Sequence, residues 1–168
     1  MEFHSLKDVL QEQLEDLHSA ETQLIAALPK MAQAAHHDQL REAFETHLEE
    51  TKGHLKRVKE ALSEIGVGTP TEVCMGMKGL ITEGEEMIQT AGDPNVKDVA
   101  LIGAAQRVEH YEIAAYGTAR TLAGELDHNE AQDLLDQTLD EESNADKLLT
   151  KIATGGMLKA GVNEQAAR

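Results

Sequence analysis

Apolar side chains in this chain recur at steps of three and four, stretch after stretch, with almost nothing to interrupt them. Leu6, Leu10, Leu14, Leu17, Leu24, Leu28 and Met31 form one such series. That period is the α-helix's own, and three prolines in 168 residues leave few places to stop. Long helices are therefore forced. The spacing predicts helices over about Ser5–Ala35, Asp38–Ile65, Thr71–Thr90, Asn95–Ala123 and Glu130–Thr154. Ser5 with Asp8 resembles a capping box, and Pro29 should kink the first helix. Gly66 to Pro70 and Ala91 to Pro94 supply the main breaks. Aromatic content of 2% argues against a sandwich or barrel.

The order long, long, short, long, long predicts an all-α, four-helix bundle with a helical crossover connector. Residues 1–155 make one domain, and 156–168 read as a flexible tail. The net charge of −16 repels nucleic acid and anionic membranes, so neither is an expected partner. One cysteine, Cys74, excludes an internal disulfide framework and favours a cytoplasmic setting. No apolar run reaches the length of a membrane span, and the N-terminus carries no signal-peptide pattern.

Projected at about 100° per residue, three helices carry an acid in the middle of the apolar stripe. These acids are Glu21, Glu112 and Glu142. A lone buried carboxylate costs several kcal/mol, and several converging ones repel strongly. Two divalent ions would neutralise about four of them. The second helix should complete the ligand set. His47, Glu50 and His54 share one flank of it, and the projection favours the histidines over Glu50. His47 is read chiefly as packing, and Glu49 points to solvent. A surface ion pair is the alternative for Glu50.

A weak repeat aligns Glu50 with Glu142 and His54 with Asp146. Each half would then give one acid on its first helix and a pair on its second. On this reading Glu50 and Glu142 bridge, Glu21 and Glu112 are terminal, and His54 and Asp146 complete the site. Glu109 is either a terminal ligand or an outer hydrogen-bond acceptor. Arg107 is read as a partner for a surplus carboxylate or as an exposed ion pair, and His110 points away. Cys74, Met75 and Met77 are read as packing over the bundle or at a subunit contact. Oxygen-rich ligation suits iron, as two ions, or manganese.

The segments Asp16 to Met31, His47-Leu48-Glu49-Glu50-Thr51-Lys52 and Arg107 to Gly117, above all Glu109-His110-Tyr111-Glu112-Ile113-Ala114, resemble the YciF/YciE-type stress-protein family of the ferritin-like superfamily. The resemblance covers roughly residues 4 to 155. It implies a homodimer-forming ferritin-like bundle with a di-iron centre, and it matches Glu21, Glu50, Glu109, Glu112 and Glu142 to that centre. Reaction with peroxide or dioxygen is the expected chemistry. A metal-free scaffold dimer is the competing expectation, followed by iron storage and manganese catalase chemistry.

Overall fold

The computed structural model describes residues 2–156 and 159–168. Five helices form the body: α1 (Leu6–Ala34), α2 (Asp38–Glu64), α3 (Met75–Gln89), α4 (Pro94–Glu125) and α5 (Asn129–Thr154). The start signals act as expected. Asp8 N–H donates to Ser5 Oγ at 3.3 Å and Ser5 N–H to Asp8 Oδ2 at 2.8 Å, a reciprocal capping box. Asp93 caps α4 through its side chain, with Pro94 at the first helical position. Helix α1 continues through Pro29, which lies on the exposed face, where the freed carbonyl can turn to water.

Helix α3 begins at Met75, later than the sequence indicates. Its cap is the Cys74 thiol, which accepts from Met77 N–H at 3.2 Å. Thr71 and its neighbours remain outside the helix.

The hairpins α1–α2 and α4–α5 pack so that α2 faces α5 and α1 faces α4. Helix α3 lies across α1 and α4, as a crossover connector must. Buried Asp98 of α4 ties down the α1–α2 turn, accepting from His36 N–H at 2.9 Å and His37 N–H at 2.7 Å. Two apolar clusters fill the bundle. One holds Leu24, Leu28, Phe44, Leu101 and Leu149, the other Leu10, Leu14, Val58, Tyr116 and Leu135. Between them the core turns polar: Glu21, Thr51, His54, Glu112, Thr138 and Glu142 are all 0% exposed.

The expectation of a loose C-terminal tail needs correction. Gly155–Gly156 pairs antiparallel with Lys159–Ala160, and α6 (Val162–Ala166) packs on α4 and α5. Gly155, at φ +74°, reverses the chain after α5. At Gly161 a Cβ would fall 2.3 Å from Gly155 N, so only glycine permits the return. Val162 is then buried, which gives the segment an apolar anchor.

Candidate metal centre

Each side of the bundle sends side chains into the polar layer. Helix α1 gives Glu21, α2 gives His47 and His54, α4 gives Glu109 and Glu112, and α5 gives Glu142. They form two groups. His47, Glu109, Glu112 and Glu142 bring one ligand atom each within 4.8 Å of the others, and so do Glu21, His54 and Glu142. Glu142 belongs to both. His47 Nε2 lies 3.6 Å from both Glu109 Oε1 and Glu142 Oε2. His54 Nδ1 lies 2.8 Å from Glu142 Oε1 and 3.7 Å from Glu21 Oε1.

Both histidines are held from behind by a carboxylate. His54 Nε2 is 2.9 Å from Glu141 Oε2, and Arg57 fixes that carboxylate with two bonds of 2.8 and 2.9 Å. Arg57 also donates to Thr138 Oγ1 at 2.9 Å. His47 Nδ1 is 3.2 Å from Glu50 Oε2. A carboxylate accepting from the outer nitrogen of a neutral ring leaves the inner one as a lone pair, which is how metal-binding histidines are oriented. Tyr116 O–H donates to Glu21 Oε1 and steadies that acid.

The residues fit a bound cation pair on one further ground. Among the described residues, six buried side-chain atoms of this site have no hydrogen-bond partner: Glu21 Oε2, His47 Nε2, Glu109 Oε2, both oxygens of Glu112 and Glu142 Oε2, while His54 Nδ1 and Glu142 Oε1 have only each other, at 2.8 Å. Such atoms are normally satisfied, and unpaired ones cost about 1–3 kcal/mol each. Four carboxylates also match the four positive charges of two divalent ions.

Metal-free, the same atoms must share protons. Burial, then the Glu142 charge, pushes Glu21 up to about 8. Burial likewise holds Glu109 and Glu112 well above the usual carboxylate range. Burial works against a charged His47, but the carboxylates of Glu109, Glu50 and Glu142 overcome it and raise the ring to about 10. Burial also opposes ionisation of Glu142, yet its contact with His54 wins and keeps it below the ordinary value. Metal ions would displace the protons that burial keeps on Glu21, Glu109 and Glu112.

Of the seven residues expected as ligands, Glu21, His54, Glu109, Glu112 and Glu142 come together. Asp146 does not. It faces the outer side of α4, accepting from Gln106 Nε2 at 2.9 Å with His110 at 3.3 Å. Glu50 is also outside both groups, with a side chain 41% exposed behind His47. The repeat alignment that made it a bridge fails because α2 turns His47, Thr51 and His54 inward and leaves Glu50 at the edge of that face, where it reaches only the outer nitrogen of His47. His47 is a member of the cluster rather than packing. Arg107 is exposed, and Arg57 is the cation beside the site. Glu141 was not singled out by sequence, its one signal being its place beside Glu142.

Comparison with known proteins gives a consistent picture. The family model described as "Domain of unknown function (DUF892)" matches residues 5–167. Protein YciF of Escherichia coli (strain K12) is 42% identical over 165 residues, 98% of this chain and 99% of that protein. The crystal structure of the E. coli stress protein YciF superposes with a TM-score of 0.86 at 43% identity, covering 89% of this chain and 94% of that one. YcfI from Rhodopseudomonas palustris gives 0.86 at 36% identity, covering 89% and 96%. A ferritin-like, diiron-carboxylate protein from Bacillus anthracis str. Ames gives 0.67 at 20% identity, covering 89% and 98%, a likeness of fold.

Proposed function

The chain belongs to the DUF892 family together with the stress protein YciF, and from that premise and its polar layer we propose a carboxylate-bridged two-metal protein of the stress response. The carrying observation is the set of six unpartnered buried atoms on five side chains that, with His54, converge from four helices. Glu142 would bridge. His47, Glu109 and Glu112 would hold one ion, and Glu21 and His54 the other. Iron suits this oxygen-rich set with two imidazoles, and manganese is the alternative. When bound, a ferrous pair would supply the two electrons that, with two protons, take dioxygen to hydrogen peroxide. The chain's part is to hold the ligands. Glu141 and Arg57 fix the His54 ring, Glu50 fixes His47, Tyr116 steadies Glu21, and the apolar clusters above and below exclude bulk water.

A homodimer is part of the proposal. It is supported by apolar side chains left on the surface near the start of α3, where Val73 is 57% and Met75 67% exposed. The single buried cysteine supports a reducing cytoplasm. The test is metal analysis after anaerobic reconstitution with Fe(II) and with Mn(II), followed by melting. Two ions per chain and a higher melting temperature are expected. Less than one ion per chain with no change in melting would refute the reading and leave a scaffold with a protonated core.

A further inference from the structure

An apolar cavity of about 40 Å³ lies beneath α3, bordered by α1, α3 and α4 and ending at α2. Its walls are Leu28, Met31, Phe44, Ile81 and similar side chains. It exists because small residues face one another there: a Cβ added at Gly84 would still stand 4.0 Å from both Ala104 Cβ and Met31 Sδ. At its outer side Lys30 and Glu85 form an ion pair of 2.6 Å. At its inner side stand His47 and Glu109, 6% and 3% exposed, with His47 Nε2 and Glu109 Oε2 lacking hydrogen-bond partners. Between the ion pair and those two residues the walls offer water no hydrogen bonds, and such walls favour small apolar molecules over water. The cavity's volume is a few times the ~10–15 Å³ needed for one water, too little for an organic chain.

A second cavity, of about 140 Å³, reaches the same two residues from the opposite side. Phe44, Leu148 and Leu149 line it too, but Thr46, Glu50, Glu141 and Asn144 give it hydrogen-bonding groups along its walls, so water and other polar species have a route there. A polar oxidant such as peroxide would lose its hydrogen bonds among the walls beneath α3 and regain none before reaching His47 and Glu109. Dioxygen loses nothing there. We infer that the cavity under α3 is a binding and access site for dioxygen, opening onto His47 and Glu109, while polar reactants approach between α2 and α5. The inference rests on the two-metal reading for its purpose, but its geometry does not depend on a bound ion.

The test has two arms, both on the full-length protein. In the first, xenon is titrated into metal-free protein and followed by NMR. Saturable shifts are expected at the methyl groups of Leu28, Met31 and Ile81. They should be lost in Ala105→Phe, which fills the void, and weakened in Gly84→Ala. The latter adds one methyl at ordinary contact distance to a helical glycine, so it folds. No saturable shift in the parent protein, or the same shift in every variant, would overturn the inference. In the second arm, ferrous-loaded protein is mixed with dioxygen or with peroxide. Oxidation by dioxygen should slow severalfold in both variants, with the peroxide rate unchanged. Equal slowing with both oxidants would overturn the inference. Metal content, measured first, separates a failure of the metal reading from a failure of the cavity, which the xenon arm judges alone. Should Ala105→Phe not fold, Gly84→Ala carries both arms.

Discussion

Raising the pH should destabilise this protein when metal is withheld and have the opposite effect when metal is supplied. Fully buried Glu21 is the clearest case. Burial, then the Glu142 charge, lifts its carboxyl from 4.5 to about 8 in the folded chain. Between those values the folded state holds a proton that the unfolded state has released, so stability falls as pH rises. One pKa unit is worth about 1.4 kcal/mol, so Glu21 alone removes about 3 kcal/mol between pH 5 and pH 7. Glu109 and Glu112, raised by burial, act in the same direction. His47, raised to about 10, contributes stability that is complete below 6.5 and is lost as pH rises through 10, again the same sign. Half-buried His18, lowered by burial, runs the other way. Glu142 and Glu141 stay below 4.5, and their contributions are already complete in this window. A loss of about 3 kcal/mol is large against the 5–15 kcal/mol that holds a typical domain together. Bound metal reverses the slope, because ions take only the deprotonated ligands. Urea midpoints at pH 5, 6 and 7, with chelator and with redox-quiet Mn(II), would show the two curves diverging. Chelated protein as stable at pH 7 as at pH 5 would refute the reasoning, for then the acids do not share a dry interior.

Three further outcomes follow from the placement of individual groups. Glu142→Gln should reduce metal uptake to at most one ion per chain, because Glu142 serves both groups, whereas Asp146→Asn should leave it unchanged; metal analysis decides. Glu141→Gln should weaken metal binding about 10- to 100-fold by freeing the His54 ring, as loss of such outer partners does elsewhere, and a competition titration measures it. Asp98→Asn should cost about 1–3 kcal/mol in urea unfolding, since one of the two N–H groups of His36 and His37 would then face an amide N–H₂ in a buried turn.

Most of the fold could be read from local patterns. The Ser5–Asp8 box, the Asp93–Pro94 start and the glycine at 66 each mark a helix end by chemistry confined to a few residues. The late start of α3 escaped because a thiol cap looks like an ordinary buried cysteine. The tail escaped because its order comes from a glycine turn and from Val162 meeting α4 and α5, contacts between distant parts of the chain. On α1, α4 and α5 the inward acids were legible, since apolar neighbours flank them on the same stripe. On α2 the reverse holds. Its inward line is His47, Thr51, His54 and Val58, while Leu48 and Leu55 are only half-buried. Hydrophobicity therefore located only the edge of that face; its projection favours the histidines, and the repeat alignment and the family resemblance are what bring Glu50 in.

The two histidines show why one half of the site was easier to find than the other. Each presents a nitrogen to Glu142 and has a carboxylate behind it. For His47 that carboxylate is Glu50, three residues away on the same helix, so the pair is visible as a spacing. For His54 it is Glu141, 87 residues away on α5, itself clamped by Arg57. No periodicity on either helix encodes that contact; it arises from the register between α2 and α5. The i,i+3 spacing also misled, because a carboxylate beside a histidine on one helix suits two roles, ligand or orienting acceptor, and only burial separates them. Glu50 stays half in solvent and Glu109 does not, so only Glu109 must find a cation or keep a proton. Fixing each ring from the wet side is what keeps both inner nitrogens turned toward Glu142 in a dry layer, and that asymmetry of solvent is a property of the assembled bundle.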